Sequence, residues 1–123
     1  MAAVRRGGKR AWTANIGDGN VTEFDLDARR TGRSLPAAAN DEGIAATPGG
    51  ILLWVGSNTE KTVTILDTEQ GEKVATLTSL SSLYRLGISR SGRRAVLHAP
   101  LDDKICLFAV GSKLALPRTD LAT

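Results

Sequence analysis

A 42-residue offset constrains this chain more than any other feature. Shifting residues 49–77, GGILLWVGSNTEKTVTILDTEQGEKVATL, back by 42 places Trp54 on Trp12, Val63 on Val21, Leu66 on Phe24 and Asp67 on Asp25. Shifting them forward by 42 places Gly50 on Gly92, Trp54 on Val96, Val63 on Ile105 and Leu66 on Phe108. One offset that holds on both sides of turn-rich gaps is internal repetition, and repetition implies that each copy buries its apolar faces against its neighbours.

Strand-like segments punctuated by Gly, Asn and Asp at a period in the low forties are the signature of β-propeller blades. The expected fold is therefore all-β, with about three blades of four antiparallel strands each, in one segment covering residues 1–123. The repeats run roughly over 2–43, 44–85 and 86–117. Residues 1–8 form a frayed beginning in which only Val4 is a good strand former, so the first inner strand is a remnant. KRAWTAN alternates polar and apolar residues as a half-buried strand does. IGDGN turns the chain, and VTEFDLD follows with Val21 on one face and Thr22, Phe24 and Leu26 on the other. Residues 28–40 are the least regular part, and Pro36 confines any strand there to an edge, where a propeller places its fourth strand. Residues 40–43 read as a loop.

The second repeat is the best formed. IAAT is its inner strand, TPGG a turn, and ILLWVGS a second strand that is apolar throughout residues 51–55. Such a run suits a sheet covered on both faces. TVTILD and KVATLTS complete the blade. The third repeat consists of YRLGIS, RAVLHA, KICLFAV and a short KLALP ended by Pro117, with residues 118–123 as a tail.

The chain carries 16 basic and 13 acidic residues, a net charge of +3. The basic excess lies in Arg5, Arg6, Lys9 and Arg10, then in Arg29, Arg30 and Arg33, then in Arg90, Arg93 and Arg94, each set at a turn. With aromatics at 4% and spent mainly at strand positions, solvated turns are the favoured reading of these sets and nucleic acid is the weaker alternative. Cys106 is the sole cysteine, so no intramolecular disulfide forms, and it reads as a small buried or half-buried strand residue, with a reactive thiol as the lesser alternative. No run of 18 apolar residues would span a membrane as a helix. The leading MAAVRRGGKR is basic without a following apolar core, unlike a secretory signal.

At GGILLWVGSNTEKTVTILDTEQGEKVATL the sequence resembles the YVTN-type β-propeller repeat. TPGG and RSGR match its turn, AWTAN and LWVGSN its second strand, NVTEFD and TVTILD its third, and GEKVATL its fourth. YRLGISRSGRRAVLHAPLDDKICLF also resembles such a repeat, so the likeness covers nearly the whole chain. The Asp that closes the third strand is present as Asp25 and Asp67 but is Ala109 in the third copy. No Trp-Asp dipeptide or Gly-His pair occurs, which disfavours the WD-repeat class. The resemblance implies a secreted, periplasmic or cell-surface scaffold. It also implies an alternative, because some propellers of similar shape are lactonases or carry haem or quinone partners.

Three blades do not close a ring, since propellers generally need four to eight. Each open blade face would uncover large side chains such as Trp12 or Phe108, and an aromatic that buries ~150–250 Å² contributes roughly 4–6 kcal/mol at ~25 cal/mol/Å². The chain is therefore expected either to self-associate, two copies making six blades, or to be a segment whose missing blades lie in a longer chain.

The candidate chemistry is sparse. His98 is the sole histidine, beside Asp102 and Asp103, but adjacent carboxylates in one turn point apart and the set reads as a strand end and a turn rather than a metal site. Serines are plentiful without a nucleophile elbow, so no triad is proposed. TPGG lacks the Gly-Lys-Ser/Thr of a phosphate loop. Asn20-Val21-Thr22 matches a glycosylation acceptor, though Asn20 is more simply a turn residue. No catalytic residue, metal or cofactor follows from these residues. Contacts to a protein or small-molecule ligand are expected from loops on one rim. The connections from second to third strands carry Asn15, Asp18, Asn58, Glu60, Asp102 and Asp103. Near the channel mouth stand Asp41, Glu42, Tyr84 and Arg85, of which Tyr84 and Arg85 form an anchor pair of the kind common at interface hot spots. The functional expectation is a non-enzymatic scaffold presenting these loops. The alternative is a segment of a propeller enzyme, a lactonase-like hydrolase or an oxidoreductase partner, whose catalytic residues lie mostly in absent blades.

Overall fold

The computed structural model describes residues 1–78, 83 and 85–110, and the backbone of 115–122. Three four-stranded antiparallel sheets follow one another along the chain, each a meander in which sequence neighbours are hydrogen-bonded neighbours. The first holds β1 (Ala2–Val4), β2 (Arg10–Asn15), β3 (Asn20–Asp25) and β4 (Arg30–Pro36). The second holds β5 (Asp41–Ala46), β6 (Leu52–Ser57), β7 (Thr62–Asp67) and β8 (Glu72–Leu77). The third holds β9 (Arg85–Ile88), β10 (Arg94–Ala99), β11 (Lys104–Val110) and β12 (Ala115–Ala122), with a 3₁₀ turn at Pro100–Asp102 between β10 and β11. These sheets are propeller blades, so the chain is an all-β partial propeller. The inner strand β5 packs against both β1 and β9, whereas the outer strands β4 and β8 touch lightly, as wedges do around an axis.

Strand periodicity explains the core. Successive side chains point to opposite faces, so a central blade needs apolar residues at both parities. All six residues of β6 are buried. Leu52 and Trp54 face the third blade with Val63 and Ile65, meeting Ala95, Leu97, Cys106 and Phe108. Leu53, Val55 and Leu66 face the first blade, meeting Trp12, Ala14, Val21 and Leu35. Trp54 and Phe108 stack edge to face with ring centroids 6.0 Å apart. Cys106 is buried in this cluster, as its apolar neighbours suggest.

The turns between first and second strands also repeat physically. Gly50 and Gly92, 42 residues apart, have φ of 69° and 74°, and at each a Cβ would lie 2.9 Å from the preceding blade, against Arg5 and Pro48 respectively. Glycine is needed there twice over, for the left-handed backbone and for the close approach.

Five expectations need correction. Trp12 and Phe108, expected on the open blade faces, are buried, because each packs against the second blade. Asp41, Glu42 and Gly43 belong to strand β5, with a bulge between Asp41 and Gly43, because the Asp41 backbone pairs with Ser57. Ile51 lies outside β6 and is exposed, since the turn at Gly50 turns it outward before the ladder begins. Leu26 lies beyond the end of β3 and is exposed, so it covers no blade face. Pro117 does not end the last strand, which continues to Ala122; it falls in the irregular stretch between the Val110–Ala115 and Phe108–Arg118 pairs of an outer strand, where a missing N–H is tolerated. The start of the expected KLALP strand, Lys113 and Leu114, lies outside the described residues.

Candidate functional site

Meandering sheets put alternate turns at opposite ends. One end, the loop rim, carries the β2–β3, β6–β7 and β10–β11 connections and the segments leading into β5 and β9. The other, the turn rim, carries the β1–β2 and β3–β4 turns and their counterparts. The two rims differ in charge. Asp18, Asp41, Glu42, Glu60, Asp102 and Asp103 lie at the loop rim, while the three basic sets around Arg5, Arg29 and Arg90 lie at the turn rim.

On the loop rim the sequence-selected residues fall into distinct roles. Asn15 spends its amide on Asn20 Oδ1 and on Thr22 Oγ1, the latter at 2.7 Å, tying β2 to β3. Asp18 is exposed in the following turn. Asn58 Oδ1 accepts the Leu83 backbone N–H at 3.5 Å, and Glu60 Oε1 accepts that of Ala39 at 3.2 Å, so each β6–β7 loop residue holds a strand-leading segment. Arg85 is exposed and its guanidinium contacts Met1 Sδ. His98 is exposed on β10, opposite Arg85 and Ile105. Asp102 and Asp103 end the 3₁₀ turn, Asp103 in the left-handed region at φ 49°. Among the described residues, no three of His, Cys, Asp and Glu converge as metal ligands. Tyr84 lies outside the described residues, so its pairing with Arg85 is not described.

The unusual group on this rim is Asp41. It is fully buried, and neither carboxylate oxygen meets a donor at hydrogen-bonding geometry. Burial pushes its carboxyl from the ordinary 3.8 up to about 7, the negative charge of Glu60 adds to the rise, and the Ala38 backbone amide and Lys73 offset part of it. Close by, Ser57 Oγ donates to the Ala39 carbonyl and accepts the Glu60 N–H at 3.1 Å.

The turn rim holds a site that the sequence reading did not single out. Glu23, on the same face of β3 as Val21, is buried between the first two blades. Its Oε2 accepts the Trp12 indole N–H at 3.1 Å. Arg33 forks onto it, Nε to Oε1 at 3.2 Å and Nη2 to Oε2 at 3.1 Å. The same guanidinium donates to the carbonyls of Thr68 and Glu69 in the β7–β8 turn, so it clamps the first blade to the second. Thr68 in turn donates from its hydroxyl to the Gly50 and Ile51 carbonyls. Above this floor opens a cleft of about 390 Å³, whose wall includes Arg5, Arg10, Glu69 and the Gly50 turn. Arg10 comes to 3.8 Å from Glu23 Oε2, beyond hydrogen-bonding reach, and no acidic side chain among the described residues pairs with Arg5.

A signal for Glu23 was present in the repeat. Ile65 and Leu107 stand at its position in the other two copies, and Leu83 stands at that of Asp41. A charged residue where its sister copies are apolar is either expelled or specifically partnered.

By sequence, no family model and no curated protein matches the chain. By structure it is similar to Kuenenia stuttgartiensis hydrazine synthase, with a TM-score of 0.86, 17% identity, and coverage of 95% of this chain and 34% of that one. It is similar also to the β-propeller domain of Myceliophteria thermophila Cps50 (Swd1), with a TM-score of 0.80, 16% identity, and coverage of 98% and 38%. The chain thus spans little more than a third of the length of these structures. At such identities the likeness establishes the β-propeller fold.

Proposed function

We propose that this chain is a non-enzymatic β-propeller unit of the YVTN type, acting as a binding scaffold whose loop rim contacts a protein or small-molecule partner. The observation that carries the reading is how the loop-rim side chains are used. Asn58 and Glu60 brace strand-leading segments rather than converging around a reaction centre, which leaves a fixed platform with Asp18, His98 and Asp103 exposed on it. Fixed loops on a rigid sheet scaffold favour recognition at low ordering cost.

The ring is completed either by a second copy or by the further blades of a longer chain. Two copies of three blades would make six, within the range in which propellers close. Light scattering after size exclusion tests this part of the reading. A species near twice 13.0 kDa supports closure by a second copy. Soluble aggregate points to blades supplied by a longer chain. A folded monomer overturns the need for closure. Turnover of lactone substrates by the purified chain, abolished by loop-rim substitutions, would overturn the non-enzymatic reading.

A further inference from the structure

We infer that the turn-rim cleft between the first two blades binds the carboxylate of an acidic side chain on a partner protein. The site is built wholly from this chain's own residues, so it stands independently of how the ring closes and of what the loop rim contacts.

The inference begins with which donors are spent. Arg33 is committed to Glu23 and to the Thr68 and Glu69 carbonyls. Glu23 in turn has Trp12 and Arg33 as hydrogen-bond partners and Arg10 as a longer ion-pair partner at 3.8 Å, so the buried carboxylate on the floor is neutralised. Arg5 and Arg10 remain, their hydrogen-bond donors unassigned, on the wall of the same cleft. The stem of Arg5 lies on the Gly50 turn, where even a Cβ would come within 2.9 Å, so that packing holds the guanidinium beside the opening. Guanidinium forks match planar carboxylates with two parallel hydrogen bonds.

Charge selects the class of anion. The cleft wall and floor carry three arginines, Arg5, Arg10 and Arg33, against two glutamates, Glu23 and Glu69. One positive charge is left over, which a monoanion balances and a phosphate dianion exceeds. Nucleic acid is disfavoured by a second observation: Trp12 and Trp54 are fully buried and Phe108 nearly so, which leaves the half-buried Phe24 as a single ring near the cleft rather than a stacking platform. A cleft of about 390 Å³ admits a side chain and its flanking backbone. The surrounding basic rim favours a partner whose surface is acidic, and steers it by long-range attraction that salt weakens.

The test is an NMR titration of the full chain with four probes: the blocked peptide Ac-Gly-Glu-Gly-Glu-Gly-NH2, its Gln counterpart, sodium acetate and inorganic phosphate. The expected result is binding of the Glu peptide with shifts at the Gly50 and Glu69 amides, at least about tenfold tighter than the Gln peptide or acetate. Arg5→Ala and Arg10→Ala should each weaken it by about tenfold, while Arg90→Ala, on another turn, should not. Glu69→Gln should tighten it about twofold to threefold, a gain that loss of folding cannot imitate. Equal binding of the Glu and Gln peptides, tighter binding of phosphate, acetate as strong as the peptide, or indifference to Arg5 and Arg10 would each overturn the inference.

Discussion

Asp41→Asn is the substitution whose consequence the structure fixes most closely. In the unfolded chain the carboxyl ionises near 3.8; in the folded chain burial and Glu60 hold it protonated until about pH 7. Between those values folding takes up a proton, so stability is fully present below pH 3.8 and falls as pH rises, at about 1.4 kcal/mol per pH unit. The accumulated loss above pH 7 is about 4 kcal/mol. Asparagine cannot ionise and therefore removes the slope, but it buries an amide without partners, at about 1–3 kcal/mol. The variant should match the wild type near pH 5 and exceed it by about 1–3 kcal/mol at pH 8. Urea denaturation at half-unit steps from pH 5 to 8 measures both. The difference between the two proteins, rather than either curve alone, isolates Asp41 from every other titrating group. Parallel curves across that range would refute the reasoning, since they would mean that Asp41 ionises in the folded chain as it does in the unfolded one.

Other consequences are testable by the same denaturation assay. Glu23→Ala should destabilise by roughly 2–3 kcal/mol, because it strands the Trp12 N–H and the Arg33 guanidinium, and a cycle with Arg33→Ala should show coupling above about 1 kcal/mol. Trp12→Phe should cost about 1 kcal/mol more than Trp54→Phe: the first loses a bond to Glu23, while the second removes an indole N–H that is buried without a partner. Equal costs would mean that the Glu23 bond contributes nothing. Gly50→Ala should cost about 1–2 kcal/mol through its positive φ and the Arg5 contact, whereas Gly49→Ala, with only ordinary contact to Ile51 and no positive φ, should fall within about 0.5 kcal/mol of the wild type.

Much of the fold was legible because repetition and period-2 patterning report the same thing at every blade. RAVLHA and KICLFAV, read as strands, are β10 and β11 to the residue. The run at Leu52–Ser57 lost its alternation for the expected reason, burial on both faces. The misses arose where a backbone ladder overrode local residue preference. Asp41, Glu42 and Gly43 carry loop-forming side chains, yet pairing with β6 makes them strand. Pro117 suggests termination, yet the last strand runs past it through an irregular stretch of the ladder. The candidate site was less legible than the fold. Topology alone gathers the described loop-rim residues at one end of the blades, but Asn15 proved to be an internal tie, which requires knowing that Asn20 and Thr22 face it.

The two buried acids show where a repeat protein departs from its own pattern. Blades repeat because each must present compatible faces to its neighbours, so an acidic residue where the sister copies are apolar, Ile65 and Leu107 for Glu23 and Leu83 for Asp41, breaks the rule locally. Glu23 breaks it at the turn rim and is compensated by Trp12 and Arg33. Asp41 breaks it at the loop rim and is only partly offset, by the Ala38 amide and Lys73, with neither oxygen in a hydrogen bond of good geometry. These outcomes imply different uses. A compensated charge is already part of the native packing, and it forms the floor beside which Arg5 and the loosely paired Arg10 keep hydrogen-bond donors for an anion. A partly offset one lowers the stability of the rim that holds it, most strongly above neutral pH.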